Sequence, residues 1–126
     1  MKVVIGYPKN WDKIKARFKL LDDKFLLTLG DTLYNPSNLV IEESYWVHEE
    51  THSRRQLAIG LEKYVQRYFN EPVFRFVEEL RAYKNQWLYI VNHGGPHIDQ
   101  LARELCNPSY GFELEFEDAK NLILGL

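Results

Sequence analysis

The stretch Tyr45-Trp46-Val47-His48-Glu49-Glu50-Thr51-His52-Ser53-Arg54-Arg55-Gln56 decides how the chain is read. It holds two of the four histidines, four residues apart, with two glutamates between them. In a helix each residue turns by about 100°, so His48 and His52 stand about 40° apart and one turn along the axis. Their imidazoles can converge on one ion. Glu49 lies about 100° from His48 on the same projection, at the rim of that face, where a carboxylate can take a proton from a water at the ion. Glu50 lies about 200° away and points elsewhere. Glu49 is therefore the candidate base, and Glu50 is expected in solvent or in an ion pair. The histidines share their stripe with Ile41, Tyr45, Gln56 and Ile59, the face this helix is expected to bury. The bland alternative is a helix whose inward face carries two hydrogen-bonded core histidines. Two histidines at this spacing, with glutamate directly after the first, favour the metal reading.

Around this stretch the bulk properties describe one globular domain, residues 1–126. At 126 residues the chain has room for a single core. Hydrophobic residues at 45% and charged residues at 27% are ordinary for a folded domain. The net charge of −2, with no long run of one sign, gives no electrostatic footprint for nucleic acid or an anionic membrane. A lone cysteine, Cys106, rules out an internal disulfide and suits a reducing compartment. No apolar run has signal-peptide or membrane-span character, so a cytoplasmic location is expected.

Local patterns place elements on both sides of the motif. The β-branched run Lys2 to Tyr7 reads as a strand ending at Pro8. Trp11, Ile14, Phe18 and Leu21 recur at helical spacing, with Asn10 as N-cap. Phe25 to Leu29 alternates as a strand and closes at Gly30-Asp31, and Thr32 to Tyr34 extends it before the Asn35-Pro36-Ser37 turn. Helices are expected over about 39–59, 61–69 and 72–91, with Pro72 at a favoured first position. Gly94-Gly95 breaks the chain, and helices over about 96–105 and 115–124 complete an α+β fold, mainly helical with a small N-terminal sheet.

A catalytic zinc site usually takes a third protein ligand. The metzincin continuation fails, because Ala58 stands where its third histidine falls, and the inverted H-x-x-E-H order fails as well. A carboxylate from a later helix remains. The core stripe expected over 72–91 is Phe76, Val77, Leu80, Tyr83, Trp87 and Val91. Glu79 flanks it and Glu78 projects to the opposite side, so Glu79 is the expected ligand. A plain edge pair of Glu79 with Arg75, four residues apart, is the alternative. Tyr83, one turn after Glu79, is a candidate to hydrogen-bond the ligand carboxylate or to stabilise an oxyanion. His93 and His97 fall in a Gly- and Pro-broken loop and share no fixed face, although one of them could approach the site. Arg54, Arg55, Lys63 and Arg67 read as a solvated face, and Ser109 to Leu126 as a loop and closing helix rather than a site.

Two histidines of H-E-x-x-H plus a glutamate from the next long helix resemble the gluzincin pattern of thermolysin-like peptidases. Glu79-Leu80-Arg81-Ala82-Tyr83 is similar to the E-x-x-A-D/Y element that carries the third ligand there. Gly30 to Pro36, Arg55-Gln56 and Phe74-Arg75 look like the flanks of small zincin peptidases encoded by phages and bacteria. The resemblance covers about residues 25 to 90. It implies a zincin-like domain with Zn2+ on His48, His52 and Glu79, Glu49 as general base and a peptide or protein as substrate. The strand over Phe25 to Leu33 would border the cleft and accept an extended peptide by β-addition. The rival expectation is a non-catalytic binding or assembly module stabilised by zinc.

Overall fold

The computed structural model describes residues 1–19, 21 and 24–126. Its elements are β1 (Lys2–Val4), α1 (Trp11–Arg17), β2 (Leu27–Leu29), β3 (Thr32–Tyr34), α2 (Glu43–Ile59), α3 (Leu61–Asn70), α4 (Pro72–His93), α5 (Ile98–Leu105) and α6 (Phe116–Leu124), with a 3-10 turn at Pro108–Tyr110. The fold is α+β and mainly helical, with a small N-terminal sheet. The end of the expected first helix, at Leu20, Asp22 and Asp23, falls outside the described residues.

The sheet has the order β1-β3-β2. β2 and β3 form an antiparallel hairpin in which Leu29 faces Thr32. The connection is only Gly30-Asp31, and Gly30 takes φ 61°. Glycine reaches positive φ at no steric cost, as the first central position of a tight hairpin turn demands. β1 joins β3 in parallel, Lys2 facing Thr32. So the run after Gly30-Asp31 is a separate paired strand, not a continuation of the one before it.

The motif helix starts at Glu43, later than the expected residue 39. The Asn35 side chain explains the delay. Its amide donates to the Leu39 carbonyl and its oxygen accepts from the Leu39 N–H, both at 2.9 Å. That closed turn, with Asn38 at φ 49°, keeps the backbone out of a helix until Glu42 caps it. The Glu42 carboxylate accepts from the Ser44 N–H at 3.0 Å.

α4 is the spine. Its C-terminal half joins α5 and α6 in an apolar cluster of Tyr83, Ile90, Ile98, Leu101, Ala102, Leu105, Ala119 and Ile123. The half-buried Cys106 packs against this cluster. Another face of α4 packs on α2, and here two expectations need correction. Val77 and Val91 are exposed, at 42% and 63%. Ala82, Gln86 and Ile90 are buried in their place. Glu78 does not project to solvent; it is 1% exposed. Its carboxylate is held by the Arg55 guanidinium, at 3.0 Å from Nε and 3.2 Å from Nη2, with Arg81 at 3.7 Å. A hydrophobic projection sends charged residues outward, but a carboxylate with a bidentate arginine on the neighbouring helix packs inside. Arg55 correspondingly leaves the solvated face assigned to it. Among the described residues no helix is long and apolar enough to cross a membrane.

Candidate metal centre

Every buried residue of α2 is polar: Ser44, His48, Glu49, Thr51, His52, Ser53 and Gln56. Buried polar groups need partners, and tracing those partners builds the site. One turn apart on α2, the His48 and His52 rings stand 4.9 Å apart with Nε2 atoms separated by 3.2 Å. Glu79 enters from α4 and divides its carboxylate between them. Oε1 lies 3.3 Å from His48 Nε2 and Oε2 lies 3.2 Å from His52 Nε2. All three residues are buried, and among the described residues they form the one group placed to hold a metal ion.

The donor set fits zinc by two observations. Tetrahedral ligands about 2.0–2.1 Å from zinc stand roughly 3.3 Å from one another, the spacing of the two Nε2 atoms (3.2 Å) and of His48 Nε2 and Glu79 Oε1 (3.3 Å), while His52 meets the other oxygen of Glu79. Glu79 Oε1 is fully buried and has no hydrogen-bond donor. A bare buried carboxylate oxygen is costly unless a cation faces it.

Outer contacts aim each ligand. His48 Nδ1 faces Gln86 Oε1 at 3.1 Å. Gln86 is oriented by donating its Nε2 to Ser44 Oγ at 3.1 Å, and Ser44 Oγ in turn donates to Glu42. An amide oxygen accepts only, so the His48 proton sits on Nδ1 and the Nε2 lone pair faces the centre. His52 Nδ1 pairs with the Tyr64 hydroxyl at 3.2 Å. Tyr68 donates its hydroxyl to Glu79 Oε2 at 2.7 Å. Burial first, and the Glu79 carboxylate second, hold the Tyr68 and Tyr64 phenols above their usual range, so both stay protonated. Burial pushes the Glu79 carboxyl up, but His52 and His48 outweigh it and hold Glu79 well below the usual carboxylate range. Burial lowers His52, yet Glu79 beside it prevails and lifts the imidazole to about 9.

Glu49 stands next to this group without joining it. It is 7% exposed, Oε1 accepts from Thr28 Oγ1 on β2 at 3.0 Å, and Oε2 lies 3.7 Å from His48 Nε2. Burial raises its carboxyl, against the pull of His48 and His52. A carboxyl raised this way, within reach of the centre, suits a group that takes a proton and returns it. Glu50 is half-buried, away from the centre.

A cavity of about 640 Å³ opens on the centre. Residues of α1, β2, the segment before α2, α3 and α5 line it, together with Asn107, Ser109 and Tyr110. Ser109 and Tyr110, read from sequence as part of a loop and closing helix rather than a site, are thus part of the wall. Tyr83 also lines the cavity. Its ring packs on His48 at 4.4 Å, and its hydroxyl bonds to Tyr110 at 2.9 Å. The phenol that bonds the Glu79 carboxylate is Tyr68, which the sequence reading missed. A clue was available: Tyr64 and Tyr68, one helical turn apart, share a face of α3 close behind the motif. Arg75 is fully buried and donates to the carbonyls of Tyr68, Phe69 and Tyr110 rather than to Glu79. His93 and His97 are exposed and remain apart from the centre. His93 stacks on Tyr89, and His97 caps α5.

No family model, curated protein or solved structure matches the chain.

Proposed function

We propose that the chain is a zinc-dependent peptidase, with zinc on His48, His52 and Glu79 and a peptide or protein as substrate. The observation that carries the reading is the convergence of two Nε2 atoms and the buried Glu79 carboxylate, one oxygen of which has no donor, next to a separate buried carboxylate. Zinc in such a site lowers the pKa of a water and polarises a carbonyl. The rest falls to the chain's own residues. Thr28 fixes one oxygen of Glu49, and the other accepts the proton of the attacking water. Glu49 then returns that proton to the leaving amine, a step in which its raised pKa helps. Tyr83 on the cavity wall is the donor we assign to the oxygen on which charge develops. The lone Cys106 fits action in the reducing cytoplasm.

A zinc-stabilised binding or assembly module is the alternative, and it calls for a fourth protein ligand that closes the site. The metal group has three members among the described residues, and Glu49, the carboxylate next to it, is tied to Thr28. The test is Glu49→Gln assayed on a broad peptide library. Zinc and fold are expected to persist while hydrolysis falls by about 10² to 10⁴-fold, the usual contribution of a positioned general base. Glu50→Gln is expected to be nearly silent. Activity that survives Glu49→Gln contradicts the role of Glu49, and zinc-loaded wild type that cleaves nothing in the library speaks for the module.

A further inference from the structure

The free edge of the sheet beside the metal centre is open along only part of its length. β2 ends the order β1-β3-β2, so among the described residues no strand lies beside its outer edge. The Gly30-Asp31 turn makes Leu29 and Thr32 the hydrogen-bonded pair of the hairpin, so the N–H and C=O of Thr28 face away from β3. Side chains of α2 reach that outward row. Gln56 donates Nε2 to the Thr28 carbonyl at 2.9 Å, and its Oε1 accepts from the Gly30 N–H. Ser53 Oγ donates to the Gly30 carbonyl at 2.7 Å. Gln56 and Ser53 are 3% and 6% exposed, so water does not compete freely for these bonds. Within β2 they leave to an incoming chain the Thr28 N–H; Leu26, one residue before the strand and on the cavity wall, continues the outward row by the alternation of an extended chain.

We infer that Gln56, seconded by Ser53, is an edge stop that makes peptide binding one-sided. The inference rests on the peptidase reading and adds a specificity rule to it. An extended peptide gains affinity by adding main-chain bonds to a free strand edge. Here it pairs with Leu26 and Thr28 and does not run past Thr28 toward Gly30, where Gln56 and Ser53 already hold the edge. The place of the cut is fixed by Glu49, and Glu49 is bonded to the Thr28 side chain. Strand pairing therefore exists on one side of the scissile bond only. Substrate length matters on that side and is nearly irrelevant on the other.

Alanine–leucine peptides of one to four residues, carrying a hydroxamate at either the C-terminal or the N-terminal end, test this. The hydroxamate anchors each peptide on the metal of the zinc-loaded protein, and calorimetry reads affinity without turnover. One series is expected to tighten by about two- to tenfold for each main-chain bond added, the range set by a net hydrogen bond. The other is expected to stay within about twofold, and the series that gains reports the strand sense. Gln56→Ala is expected to restore a length dependence to the flat series. Amide exchange on the wild type does not depend on that variant folding. The bound peptide is expected to protect the Leu26 and Thr28 amides and leave Gly30 unchanged. Two series that tighten equally, no tightening in either, or new protection at Gly30 overturns the edge stop. None of these readouts involves hydrolysis, so failure of the edge stop and failure of the Glu49 mechanism are told apart.

Discussion

Helix α4 serves two unlike regions. Toward α5 and α6 it contributes Ile90 to a cluster that includes Ile98, Leu101, Leu105 and Ile123. Toward α2 it presents Glu78, Glu79 and Gln86 to a helix whose buried residues are all polar. The apolar region gains by removing carbon from water and tolerates exchange of one aliphatic side chain for another of equal volume. The polar region gains little from burial itself, and each member needs a partner of fixed geometry. On the proposed reading stability is concentrated in the first region and metal binding in the second, so substitutions in the two should separate cleanly.

The largest contrast is between Glu79→Gln and Leu101→Ala. Loss of a supporting contact alone costs roughly 10 to 100-fold in metal affinity. Glu79→Gln, which removes a charged ligand, is expected to weaken zinc by more than about 100-fold in a chelator competition. Leu101→Ala is expected to lower unfolding free energy by about 2–5 kcal/mol while the folded protein keeps its zinc. If Leu101→Ala also releases zinc from folded protein, the two regions are not separate. Within the polar region, Glu78→Gln sharpens the picture. It leaves Arg55 with a weaker partner and is expected to cost about 1–3 kcal/mol in a urea titration, with zinc affinity nearly unchanged. Equal loss of zinc from both glutamine variants would place the ligand elsewhere on α4.

A smaller effect follows from His52. Its pKa in the metal-free fold, about 9, lies above the ordinary value of 6.5. A raised pKa contributes stability that is fully present below 6.5 and is lost as pH rises through about 9. Metal-free protein is therefore expected to melt at progressively lower temperature across that window. Zinc needs the neutral imidazole, so its apparent affinity is expected to rise over the same window, by up to about tenfold per pH unit for one displaced proton. Melting curves and chelator competition at several pH values check both signs. A flat profile would mean that His52 carries no extra proton before zinc arrives.

The parts legible in the sequence are those set by local geometry. Four-residue spacing on a helix brings His48 to His52, and Pro72 and Gly94 mark the ends of α4. Glu79 turns inward as its place beside an apolar stripe suggested, but the same projection sent Glu78 outward and counted Val77 and Val91 as core, and all three depart from it. The parts that were not legible depend on partners distant in sequence. Glu78 packs inside because Arg55, 23 residues earlier, reaches it. Tyr68 rather than Tyr83 holds Glu79 because α3 returns alongside α4, which no spacing within α4 reveals. Gln56, placed on the histidine stripe from sequence, gave no hint that its amide would bond the edge of β2.

The claim on which the rest depends is that His48, His52 and Glu79 hold zinc. Elemental analysis of wild type and the His48→Ala/His52→Ala double variant, purified identically, tests it most directly. About one zinc per chain is expected in the wild type, since this donor set matches the ion's preferred ligands, and none in the double variant. Unchanged zinc in the double variant would contradict the assignment.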